Sequence, residues 1–87
     1  MAMEMLVLNA ERISALNFAP PTAVSVRLVL TVEPADGAVL VYTPARPEPI
    51  RFDGPQSVHD VPLTGEFIYV QMISGASKWT AVGVGYE

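Results

Sequence analysis

Ala23-Val24-Ser25-Val26-Arg27-Leu28-Val29-Leu30-Thr31-Val32-Glu33 is the stretch that decides the fold class. Val24, Val26, Leu28, Leu30 and Val32 share one side of this run, and Ser25, Arg27, Thr31 and Glu33 share the other. Alternation with period two over this length marks a β-strand with one face against a core. Val29 interrupts the polar side, which implies that part of the second face is covered as well.

Moving outward, Pro34-Ala35-Asp36-Gly37 has turn chemistry, with a fixed φ at proline and a permissive backbone at glycine. Ala38-Val39-Leu40-Val41-Tyr42-Thr43 follows, so the spacing predicts a β-hairpin between the two apolar runs. Three prolines in Pro44-Ala45-Arg46-Pro47-Glu48-Pro49 cannot donate to a ladder and predict an exposed loop or an edge crossing. Short strands are expected at Ile50–Phe52, ended by Asp53-Gly54-Pro55, and from Ser57 to Val61.

The C-terminal third repeats the strong strand signal. Glu66-Phe67-Ile68-Tyr69-Val70-Gln71-Met72-Ile73 and Lys78-Trp79-Thr80-Ala81-Val82-Gly83-Val84-Gly85-Tyr86 flank the turn residues Ser74 to Ser77. Aromatic and β-branched runs around a Gly/Ser turn predict a second hairpin, with Tyr69 and Trp79 as cross-strand neighbours on one face. In the last strand Thr80, Val82, Val84 and Tyr86 share a side, while beyond Trp79 the other side carries only Ala81, Gly83 and Gly85. Such a smooth strip admits close approach by another sheet, a loop or a neighbouring subunit. Upstream, Glu4 to Asn9 reads as a strand, and Ala10 to Phe18 as a strand or one or two helical turns ended by Pro20-Pro21.

The sum is an all-β fold: a small antiparallel β-sandwich or partly open barrel of about six or seven short strands. With 87 residues the chain makes a single domain spanning 1–87, in which 1–22 is a candidate extended N-terminal arm. Cysteine is absent, which removes disulfides and thiolate metal sites as sources of stability and leaves oligomerisation available. Hydrophobic residues make up 51% and charged residues 16%, against about 25% charged in an average soluble domain. That balance fits both an apolar surface that meets another protein and a β domain that simply scores high through its Val, Ala and Leu.

The net charge of −4, with five basic residues spaced singly, lacks the clustered positive charge that nucleic acid or an anionic membrane requires. The N-terminal apolar residues have no Lys or Arg before them and include Glu4, which argues against a signal peptide. The longest stretch without Asp, Glu, Lys or Arg, Ile13 to Val26, contains two prolines and is shorter than the roughly 20 residues of a spanning helix. A soluble protein made in the cytoplasm is expected.

The inventory for catalysis is thin. His59 is the single histidine, and its neighbour Asp60 would point to the opposite face of a strand. No Gly-x-Ser-x-Gly turn or calcium loop occurs, and Gly83-Val84-Gly85 leads into no helix whose amides could hold phosphate. No catalytic, cofactor-binding or metal-binding residue is expected, and the chain reads as a non-enzyme. Tyr42, Tyr69, Trp79 and Tyr86 are flat amphipathic rings able to meet a sugar or peptide. Tyr69, Trp79, Gly83 and Gly85 are accordingly the candidate interface or ligand face.

The pattern Gly65-Glu66-Phe67-Ile68-Tyr69-Val70-Gln71, followed by Ser74-Gly75 and a Val/Gly strand, resembles the last hairpin of small β-sandwich virion proteins of tailed bacteriophages. Those are head decoration, or cement, proteins and related neck and fibre modules. The resemblance implies a homo-oligomer clamped onto a capsid or other virion protein, made in the host cytoplasm and stabilising a shell through protein contacts. It would place the lattice contacts in the N-terminal segment and loops, here Met1 to Phe18 and the triple-proline loop. A small carbohydrate- or peptide-binding module using Tyr69 and Trp79 is the alternative from a different class.

Overall fold

The computed structural model describes residues 10–87. Among these residues seven strands form two antiparallel sheets, and the sheets do not close into a barrel: the fold is a small β-sandwich. In chain order the strands are β1 (Glu11–Ser14), β2 (Ser25–Glu33), β3 (Ala38–Tyr42), β4 (Ile50–Asp53), β5 (Gln56–Pro62), β6 (Phe67–Ile73) and β7 (Lys78–Tyr86). A four-stranded sheet has the order β1-β6-β3-β4, and a three-stranded sheet the order β5-β2-β7.

The strand that decides the class also anchors the core. Val26, Leu28, Leu30 and Val32 of β2 are buried together with Val39, Val41, Phe52, Val61, Ile68 and Val70. Each fully buried Val, Leu, Ile or Phe contributes about 1.5–3 kcal/mol relative to exposure, so the alternating pattern of β2 supplies much of the driving force. Val24 lies just before β2 and is exposed. Thr43 is the one buried polar residue among those described. Its Oγ1 donates to the Pro62 carbonyl at 2.8 Å and accepts from the Ala45 amide at 3.1 Å, so the hydroxyl is satisfied.

Both expected hairpins are overturned. β2 and β3 lie in different sheets, as do β6 and β7, so Pro34–Gly37 and Ser74–Ser77 turn the chain from one layer to the other. The physical reason is that both members of each pair present an apolar face. Packing those faces across the sandwich buries them against each other, whereas side-by-side pairing would leave both needing a further cover. The triple-proline segment instead closes a true hairpin, with Val41 opposite Ile50 and Val39 opposite Phe52. Its prolines sit in the exposed connection, outside the ladder.

Two of the layer crossings lock together. The Gly54 amide donates to the Gly37 carbonyl at 2.9 Å, and the Val32 amide to the Pro55 carbonyl at 2.8 Å. A Cβ on Gly54 would lie 2.7 Å from the Ala35 carbonyl oxygen, so only glycine permits this approach.

In the segment 10–18, both readings occur in succession: β1 pairs with β6, and a single 3₁₀ turn, Ala15–Asn17, follows with Ser14 as its cap. Of the candidate arm 1–22, residues 11–14 therefore belong to the sheet, and Phe18 and Ala19 pack on the core. The expected strand from Glu4 to Asn9 lies outside the described residues.

Candidate interaction face

The outer face of the three-stranded sheet is laid out by its register. On β2, Arg27, Val29, Thr31 and Glu33 point away from the buried Val26, Leu28, Leu30 and Val32. Asp60 and Gly85 lie opposite Arg27, Val58 and Val82 opposite Val29, Gln56 and Thr80 opposite Thr31, and Lys78 opposite Glu33. Val58, Val29 and Val82 thus form one row across all three strands. Directly opposed Cβ atoms lie about 4.5–5.5 Å apart, so the row is contiguous.

Val58 is 51% exposed, Val82 59% and Val84 55%. Isolated exposed apolar side chains are ordinary; adjoining ones on a sheet face mark a contact surface. Ion pairs lie on either side of the row along the strand direction. The Arg27 Nε donates to Asp60 Oδ1 at 2.9 Å, and Lys78 Nζ lies 3.9 Å from Glu33 Oε1. These pairs are exposed and contribute little to stability, but they leave the face neutral.

The hydrogen bond from Arg27 holds the Asp60 carboxyl below its ordinary range, and Asp60 in turn raises Arg27. Because the folded carboxyl is lowered, the pair contributes above the ordinary aspartate pKa and is lost as pH falls through the lowered value. A carbon-detected NMR titration is expected to place the Asp60 midpoint below that of a free aspartate. Arg27→Gln is expected to return it to the ordinary range; an unchanged midpoint would show that Arg27 is not the cause.

Next to this pair the register of β7 shifts between Arg27 and Leu28, which marks a β-bulge. The bulge separates the two candidate glycines. Gly83 faces the interior, where an added Cβ would lie 3.1 Å from both Cβ and O of Phe18. The smooth strip is therefore filled at this point by the chain's own β1–β2 connection. Gly85 comes to lie opposite Arg27, has no atom within 4 Å of an added Cβ, and borders a cleft of about 200 Å³ with Arg27, Asp60, Val84, Tyr86 and Glu87. That volume is below the roughly 300 Å³ at which small-molecule sites begin.

Tyr69 and Trp79 do not form a common platform. Tyr69 lies in the four-stranded sheet between Arg12 and Tyr42, on the side opposite the buried Ile68 and Val70. Trp79 lies in the three-stranded sheet opposite Val32 and packs on the core. The two rings belong to different layers and faces because β6 and β7 are not paired. Tyr42 is occupied in donating its hydroxyl to Gln71 Oε1 at 2.9 Å, while Arg12 covers the Phe67 ring, its guanidinium carbon 4.4 Å from the centroid. The outer surface of this sheet is thus capped by polar and charged groups, in contrast to the valine row.

His59 and Asp60 point to opposite faces of β5: Asp60 to Arg27, and the His59 ring edge-on to Phe52 at a centroid distance of 4.8 Å. Among the described residues no three His, Asp or Glu side chains gather as a metal site, and no helix is long and apolar enough to cross a membrane. Sequence reasoning missed Val58 and Val29 as partners of Val82, because the signal depends on the pairing of β5 and β7 with β2. No protein-family model, curated protein or solved structure matches the chain.

Proposed function

We propose that this protein is a non-catalytic assembly module that associates with copies of itself and with a larger protein particle, in the manner of the decoration or cement proteins of tailed-phage heads. The observation that carries the reading is the contiguous row Val58–Val29–Val82 on an outer sheet face, followed along β7 by the exposed Val84 at the bulge. A shell is stabilised by such contacts through mass action, with no chemical step. The low charge and the self-contained β-sandwich support the same reading, since a rigid face costs little entropy to dock.

Light scattering coupled to size exclusion, across a range of protein concentrations, tests the self-association. A discrete symmetric oligomer is expected, and a monomer at every concentration would remove this part of the proposal. The virion assignment is tested separately, with antibody against the chain applied to tailed-phage particles purified from cultures that carry the gene. Labelling of intact particles is expected, and label confined to the particle-free fraction would overturn it.

A further inference from the structure

Among the described residues four strands end their sheets: β1, β4, β5 and β7. β1 and β4 have four residues each, and β4 is bounded by Pro49 and by Gly54-Pro55. β5 follows Pro55, ends in Pro62, and carries the charge of Asp60. Shortness, proline and charge are the features by which sheet edges avoid pairing. β7 has none of this protection along most of its length: nine residues, no proline, and a single charged side chain at its first position, Lys78. The bulge bends it only near the end, leaving Lys78 to Gly83 in regular register with β2.

From this contrast we infer that β7 pairs antiparallel with β7 of a second copy about a two-fold axis near Val82. The three-stranded sheets of the two copies then join into one continuous six-stranded sheet. The inference rests on the assembly reading and names the self-contact. Charge selects this occupant and direction. Lys78 precedes the apolar stretch and Glu87 follows it, so antiparallel pairing sets the cation of each copy near the carboxylate of the other, whereas parallel pairing would align like charges. With Val82 opposite its own symmetry mate, Ala81 meets Gly83 and Thr80 meets Val84 where the bulge begins, which gives β-branched pairs through the centre. The same two-fold joins both Val58–Val29–Val82 rows end to end into one apolar band.

The chain contains no cysteine, so single-cysteine variants report the contact directly. Opposed Cα atoms in an antiparallel pair lie about 4.5–5.5 Å apart, within the roughly 4.4–6.8 Å that a disulfide spans. Under mild oxidation V82C is expected to form covalent dimer at least ~10-fold faster than V58C, with T80C and V84C as register controls; in the edge-paired dimer the two Val58 positions are about five strand spacings, ~24 Å, apart. Val82→Lys places like charges across the axis and is expected to yield a monomer with an unchanged circular dichroism spectrum. Equal cross-linking of V58C and V82C would indicate face-to-face packing and overturn the edge contact. Cross-linking by none of the three β7 variants, while light scattering still finds an oligomer, would overturn it and leave the assembly reading standing. A wild-type monomer at all concentrations would overturn both.

Discussion

Phe52→Ala is expected to remove about 3–5 kcal/mol of folding stability, read as a lower urea midpoint with little change in slope. Phe52 is fully buried on β4, and its ring meets the edge of His59 on β5. These strands end the two sheets on the same side of the sandwich, joined by the short turn at Gly54-Pro55, so Phe52 closes that side of the core. Truncation removes the transfer energy of a large ring and leaves a cavity that the crossing turn holds open. A domain of this size has a total of only about 5–15 kcal/mol, and the loss threatens folding itself. Phe52→Leu, which keeps most of the volume, is expected to retain a cooperative transition; equal loss in both variants would mean that the ring's shape matters more than its bulk.

Gly54→Ala is expected to cost about 1–3 kcal/mol although it adds a single methyl group. The new Cβ would meet the Ala35 carbonyl oxygen at 2.7 Å and the Gly37 carbonyl oxygen at 3.1 Å. Both are backbone atoms in a turn, so no side chain can swing aside. Relief requires the two layer crossings to part and weakens the bond from the Gly54 amide to Gly37. At roughly 4–8 °C per kcal/mol, thermal melting should fall measurably. Gly65→Ala probes backbone freedom without crowding, since Gly65 has positive φ and no neighbour within 4 Å of an added Cβ. If melting is unaffected by Gly54→Ala, the two crossings are not rigidly locked.

The strands were legible in the sequence and their partners were not. Period two in β2 reports which side chains are buried, and Val26, Leu28, Leu30 and Val32 are indeed core. It carries no information about which strand lies alongside. Pro34-Ala35-Asp36-Gly37 likewise reverses the chain whether the next strand pairs with β2 or crosses to the other layer, and here it crosses. The candidate face inherits this ambiguity: a hairpin at Ser74–Ser77 would group Tyr69 with Trp79, while Val58, Val29 and Val82 are distant in sequence and meet only through β2. Gly83 and Gly85 look equivalent along the chain. A bulge, which depends on the partner strand, sends one towards Phe18 and the other to the outer cleft.

Among the described strands, β3 and β4 alone are both consecutive and paired; every other ladder joins distant parts of the chain. Loop closure must precede those contacts, which places folding among the slow, non-local β topologies. On a ribosome the delay is longer still. β2 is complete at Glu33, yet its second flank stays open until Tyr86 has been made. At ~5–20 residues per second that interval is roughly 3–10 s. During it the strand that anchors the core is a nascent segment with an unfilled side, and its protection falls to whatever holds emerging chains.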